Sequence, residues 1–324
     1  MRSVSTDGVS MSTSPTAAMM AAALWHGATL PFLVFGLMHT GFLLACHAWR
    51  RLRRNRMAVA AALLLTGLAI LAAIAPWLPG LPDPAAQDLA KGAVAPCVAH
   101  PFGTDELGRD LFARVVYGSR ISLLVGLVGT LVSLLIGVTW GAIAGYTGGR
   151  TDDAMMRVVD VLDALPYLFL VILLLVFFSK SLLMLFVALG LVQWLTMARI
   201  VRSQVRSLRQ QTFVEAARAL GATDAAIIFR HLVPNTLGPV IVYTTLTVPA
   251  VILQEAFLSF LGLGVQPPAA SWGTLVADGA RSMALFPWLV TFPGLAMSVT
   301  LLAFNFLGDG LRDALDPRGR RDVA

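Results

Sequence analysis

Lysine, cysteine and charge are all scarce in this chain, and each shortage removes a class of function. Of the 24 basic residues only Lys91 and Lys180 are lysine. A phosphate-cradling P-loop needs Gly-Lys followed by Ser or Thr. Lys91 follows Ala90 and Lys180 follows Ser179, so any ATP chemistry must reside on another chain. Cys46 and Cys97 are the only cysteines, too few for a disulfide framework or a thiolate metal cluster. The five histidines (His26, His39, His47, His100 and His231) are scattered without ligand spacing, so no metal site is expected. Charged residues make up 13% of the chain against 57% hydrophobic, and the mean hydropathy is +0.77. Soluble domains carry about 25% charged residues. So few charges cannot coat a water-exposed surface, and an integral membrane protein is implied. The apolar stretches hold no clustered Ser/His/Asp, paired acids or metal ligands, so a membrane-embedded enzyme is not expected.

What is present is a set of charge-free runs: 57–82, 121–149, 164–179, 181–198, 232–254 and 282–308. Crossing about 30 Å of hydrocarbon takes about 20 apolar residues, so an all-α, polytopic chain with six core spans is predicted. The 164–179 run is short and would extend backward through Val158 and Val161, with a local kink at Pro166. With a cytoplasmic start, segments 50–56, 150–157, 199–236 and 309–324 lie inside and hold 5, 2, 6 and 4 basic residues, 17 together, against six on the other side. That asymmetry orients the chain. It places the loops around 80–120 and 263–281 outside. Residues 8–49 carry no formal charge, and 30–46 is apolar enough for an additional helix. This stretch is a seventh span, a re-entrant segment or a dispensable extension; it lacks the n-region and cleavage site of a signal peptide.

Small residues recur every four positions at Gly129, Ser133, Gly137, Gly141 and Gly145. On a helix they form one ridge that lets a neighbouring backbone approach closely. Asp160 and Asp163, with Asp152 and Asp153 before them, suit a helix N-terminus, where acids complement the dipole. Asp105, Glu106 and Asp110, interleaved with Arg109 and Arg114, read as a solvated, self-paired surface, with His100 an ordinary loop residue. The Arg50–Arg56 cluster abuts a span, where it attracts anionic lipid; nucleic acid is not an expected partner.

Residues 199–236 are too polar to span and too long for a tight turn. Thr212 followed by Glu215 reads as a capping box. Phe213, Ala216, Ala217 and Leu220 follow at helical spacing, and Gly221 supplies the left-handed residue that closes the helix. Thr223 or Asp224 would cap a second helix carrying Ile227, Ile228 and Leu232, which Pro234 would stop. The expectation is a helix–Gly–helix with Phe213, Leu220, Ile227 and Ile228 free to insert into a partner at about 1.5–3 kcal/mol each. An amphipathic element lying on lipid headgroups is the alternative the residues alone leave open.

The run Glu215-Ala216-Ala217-x3-Gly221-x9-His231-Leu232-Val233-Pro234 resembles the EAA loop of bacterial ATP-binding-cassette importer permeases, departing from Ile at His231 and from Leu at Val233. Stretches 100–123, 255–276 and 305–318 resemble the C-type permease subunits of the dipeptide/oligopeptide/nickel branch, in the same order. The likeness covers about 50–318. It implies a type I importer permease fold and a multi-pass subunit of the bacterial inner membrane. Residues 1–49 would be an N-terminal extension, and 50–118 a basic cytoplasmic arm with the first core span and external loop. Residues 119–309 would form the permease domain with its loop at 199–236, and 310–324 a cytoplasmic tail. The implied partners are a homologous permease chain, two ATPase subunits that hold ATP and Mg, and an external substrate-binding protein. Glu215 would orient the coupling helix, Ala216 and Ala217 would allow close approach, and Gly221 would set the bend; Phe213, Leu220, His231 and Pro234 complete the coupling set. Gly221→Asp is expected to uncouple transport with the chain still inserted. Peptides are the implied cargo, with nickel chelates or other small solutes as the alternative. A secondary transporter is the rival class, but it would call for coupling-ion sites in repeated halves. Glu255, alone among apolar residues, would either line the translocation path or bond to a neighbouring chain or its own loop, since a charge at mid-bilayer costs at least about 2.5–3.5 kcal/mol.

Overall fold

The computed structural model describes residues 49–178 and 181–315. It divides into two units, 1–54 and 55–324. In the first, the described stretch 49–54 holds Arg53 over the Trp49 ring at 6.0 Å. The anticipated helix at 30–46, the Lys180 boundary and the tail beyond Leu315 lie outside the described residues.

The second unit is helical, and among the described residues it contains no strand beyond an isolated bridge between Thr104 and Asp110. Helix α1 (Arg56–Ile74) starts at Asn55, whose side chain accepts from the Ala58 amide. Helix α2 (Leu111–Thr147) starts at Asp110 in the same way, with Ala113 as donor at 2.8 Å. At 37 residues it is about 55 Å long by helical rise, well beyond the hydrocarbon thickness. It begins ten residues before the charge-free run, because Arg114 and Arg120 do not interrupt a helix. Gly148 and Gly149, at φ +66° and +55°, end it in the left-handed region, which a Cβ disfavours.

Helices α3 (Gly149–Asp163) and α4 (Tyr167–Phe178) follow with an 85° bend between them. The local kink expected at Pro166 is an 85° break, and the helix resumes through Val158 and Val161 only on its far side, in α3. Pro166 removes an amide and disfavours helix at the residue before it, and α3 turns aside as an amphipathic helix. Helix α5 (Leu182–Leu208) is capped by Ser181. It runs ten residues into what the sequence marks as loop, so that loop begins at residue 209. Helix α6 is Thr212–Ala219. Then come α7 (Asp224–Ala226), a π-helical stretch Ile227–Leu232 and α8 (Val233–Asn235). Helix α9 (Leu237–Phe260), α10 (Trp272–Arg281) and α11 (Trp288–Leu315) complete the unit. Among the described residues five helices are long and apolar enough to cross a membrane, or six if the bent α3–α4 pair counts as one.

The most extensive packing joins α2 to α5. A Cβ at Gly137 would stand 2.6 Å from Met197 Cβ, at Gly141 2.4 Å from the Ala198 carbonyl, and at Gly145 2.7 Å from the Arg202 carbonyl. The small-residue ridge is thus the seam along which α5 lies against α2. Its upper end, Gly129, faces Val251 of α9.

Candidate functional site

At the end of the bundle that the charge asymmetry assigns to the cytoplasm, the chain leaves α5 at Arg209, turns through α6, reverses at Gly221 and returns through α7. Gly221 sits at φ +79°. Its amide donates to the Arg218 carbonyl at 2.9 Å, and the Ala222 amide to the Ala217 carbonyl at 3.1 Å. That pair of bonds is the Schellman closure, which consumes two orphan carbonyls of α6. No atom lies within 4 Å of where a Cβ at 221 would stand, so glycine is favoured here by its backbone angle and not by lack of space.

The start of α6 departs from expectation. Gln211 is the N-cap and makes no side-chain cap bond, and Thr212 is already the first helical residue. The helix thus begins one residue earlier than anticipated, with the Gln211 carbonyl accepting from the Val214 amide at 3.0 Å, and Thr212, already inside it, is not the N-cap that a Thr212–Glu215 capping box requires. Thr223 does cap the return helix, accepting from the Ala226 amide at 3.3 Å. Pro234 does not stop that helix. Proline has no N–H and its ring collides with the carbonyl four residues earlier; the preceding turns widen instead, with the Val233 amide reaching the Ile228 carbonyl. The ladder shifts to i→i+5 spacing, as at other π-bulges, and continues through Asn235.

Ile227 and Ile228 are buried in this chain's own core, with Val214, Ala217, Leu232, Val201 and Val205. They are not free to insert into a partner, contrary to the sequence reading. What remains outward is Phe213 (37% exposed), Leu220 (82%) and Phe229 (47%). Glu215, Ala216, Gly221 and Pro234 are exposed as well, His231 is half-buried, and Ala217 faces inward. Of the expected coupling residues, then, Phe213, Glu215, Ala216, Leu220 and Gly221 share the exposed rim, while Ala217 fastens α6 to the core. Arg218, an arginine and so a cation, sits on the rim with Glu215, and contact with Tyr146 is the foremost cause raising its guanidinium above the ordinary pKa.

Several anchoring groups carry no local sequence signal. Arg202 on α5 donates through Nε and Nη2 to Asp152 at 2.6 and 2.7 Å; Asp152 is 4% exposed. Arg199 reaches Asp163 and Asp160 at 2.8 and 3.1 Å. Asp160 and Asp163 therefore lie in the last turn of α3, not at a helix N-terminus, and are balanced by Arg199 instead of a dipole. Tyr146 at the end of α2 donates to Asp224 at 2.5 Å. These pairs span 36 to 78 residues of sequence, and short-range spacing does not reveal them.

Glu255 is fully buried in α9. Its Oε1 accepts from Ser259 at 2.8 Å and from Ser271, the cap of α10, at 2.7 Å. Its Oε2 finds no partner and packs 2.8 Å from where a Cβ at Gly273 would stand. The bond to Ser271 is the contact with its own loop that one of the two readings describes. At the opposite end of the bundle, Asp105 is buried and bound by Arg109 Nε at 2.7 Å and Arg114 Nη1 at 2.5 Å. His100 Nδ1 lies 2.7 Å from Asp110 and its Nε2 2.9 Å from Lys91. That loop is self-paired but is not a solvated surface, and His100 is a working member of it. Among the described residues no group of three metal-ligating side chains converges.

The sequence profile described as "Binding-protein-dependent transport system inner membrane component" matches residues 137–321, and that described as "N-terminal TM domain of oligopeptide transport permease C" matches 47–96. The oligopeptide transport system permease protein OppC of Haemophilus influenzae is 48% identical over 274 residues, 84% of this chain and 88% of the relative. The dipeptide transport system permease protein DppC of Bacillus subtilis is 49% identical over 275 residues, 85% of this chain and 86% of that one. A solved structure titled as inward-facing conformations of the MetNI methionine ABC transporter superposes with TM-score 0.50 at 18% identity, over 62% of this chain and 96% of that one. That likeness is one of fold.

Proposed function

The chain belongs to the family of binding-protein-dependent inner membrane transport components, and from that premise we propose that it forms the membrane pathway of an ATP-driven peptide importer. Relatives at about half identity that cover most of the chain are named for oligopeptide and dipeptide transport, which places peptides ahead of nickel chelates. The chain has no P-loop, so ATP and Mg are held by two partner ATPase chains. A homologous permease chain completes the pathway and an external binding protein delivers the cargo.

One observation carries the coupling role. Helix α6 is a short, rigidly backed helix whose inner face (Val214, Ala217) is sunk in the core and whose outer rim presents Phe213 and Leu220. Two exposed apolar side chains on a fixed support make a plug for a groove, each contributing up to about 1.5–3 kcal/mol if fully buried. Glu215 and Arg218 flank the plug and set its register, Ala216 lets a partner's backbone come near, and Gly221 fixes the reversal. His231 and Pro234 hold the return helix. Phe213→Cys in the assembled importer is expected to cross-link to an ATPase chain in native membranes, and uptake into proteoliposomes is expected to require both ATP and the binding protein. Cross-links confined to lipid or to this chain would sink the coupling role.

A further inference from the structure

We infer that Tyr146 is the positioning residue through which movement of the coupling segment is delivered to α2; this rests on the coupling role proposed for α6. Three groups from successive parts of the segment converge on this one side chain and its carbonyl. Arg209, where the segment leaves α5, donates through Nη1 to the Tyr146 carbonyl at 2.7 Å. Arg218, on α6 itself, places its guanidinium 5.3 Å from the centre of the Tyr146 ring, within cation–π range. Asp224, the first residue of the return helix, accepts the Tyr146 hydroxyl at 2.5 Å.

The ring is 5% exposed and belongs to the same buried cluster as Val214, Ala217, Ile227 and Ile228. The start, middle and return of the segment are thus tied to one point, the last turn of α2. A push on α6 from a docked ATPase cannot be absorbed by rotation about Gly221, because both sides of that reversal are held by Tyr146: Arg218 before it and Asp224 after it. The load passes instead to α2, and along the tight α2–α5 seam into the bundle. Packed elements respond to such a push as rigid bodies rather than by gradual deformation. Without the hydroxyl, the return helix loses its tie and the reversal becomes a slack joint.

The test uses the complete importer in proteoliposomes, with binding protein and a short peptide of known uptake, and reads peptide transported per ATP hydrolysed. Tyr146→Phe keeps the ring and its packing but removes the bond to Asp224; the ratio is expected to fall at least threefold, with assembly yield unchanged. Asp224→Ala should reproduce that loss, the double variant should be no worse than either single one, and Asp224→Asn, which keeps an acceptor oxygen, should restore the wild-type ratio. A wild-type ratio in Tyr146→Phe would overturn the inference, as would a fall in yield with the ratio unchanged or an additive double variant. Failure of the underlying coupling role shows differently: Phe213→Cys in the otherwise wild-type complex would not reach an ATPase chain.

Discussion

Gly141→Ala tests how closely the backbones of α2 and α5 approach along their seam. The added methyl would stand 2.4 Å from the Ala198 carbonyl oxygen and 3.0 Å from both the Arg202 amide and Val201 Cβ. Two of those three neighbours are backbone atoms, which cannot rotate aside. Ordinary contact is about 3.5–4.0 Å, so the helices must part by about 1 Å, a gap that already forfeits a quarter to a half of each contact's attraction. Overpacking of this kind costs about 1–3 kcal/mol, and the continuous seam from Gly137 to Gly145 places this site at the upper end. Gly67→Ala is the internal control. It lies mid-helix in α1 with nothing within 4 Å of the new methyl, where replacing Gly by Ala gains about 0.5–1 kcal/mol. Thermal unfolding of the purified permease in one mild detergent should separate the two variants in opposite directions from wild type. Equal stability for Gly141→Ala and Gly67→Ala would refute the close-approach argument.

Two further outcomes follow from the same geometry. At Gly221 the obstacle is the left-handed backbone and not space, so Gly221→Asn, which tolerates that region, should retain most ATP-dependent uptake, whereas Gly221→Val should lose it at a strain of about 1–2 kcal/mol; equal uptake by the two variants would show that the angle is not what matters. Ser271→Ala removes both the cap of α10 and one of the two donors to Glu255, so a stability loss of about 1–3 kcal/mol is expected in a denaturation series, and a neutral result would mean the Glu255 contacts are not supporting the fold.

Much of the architecture was legible because membranes impose coarse rules. Charge-free runs marked the spans around α1, α2, α5, α9 and α11, and small residues at intervals of four marked the α2 seam. The EAA stretch exposed the segment around Gly221, whose closing bonds form as its position implied. Errors arose where a local signal met a tertiary competitor. Thr212 had the right neighbour for a capping box, but the helix starts one residue earlier, at the Gln211 cap, and leaves Thr212 inside it. Pro234 looked like a terminator, yet a π-helical turn absorbed it, and Ile227 and Ile228 are buried in this chain's own core. Asp160 and Asp163 were assigned to a dipole because Arg199, 36 residues away from Asp163, could not be paired with them from spacing.

The sequence by itself determined that this chain lives in a membrane, which end of it is basic, that it carries no P-loop motif, and where the exposed helix–Gly–helix lies. These follow from composition and short-range spacing, which survive any arrangement of the spans. Tertiary structure decided which of the segment's apolar residues are spent on this chain's own core and which are left for a partner. It also decided that Glu255 is closed in by Ser259, Ser271 and Gly273, and that Tyr146 gathers Arg209, Arg218 and Asp224. Those outcomes depend on groups brought together across dozens of residues by helix packing, and no pattern along the chain encodes such distances.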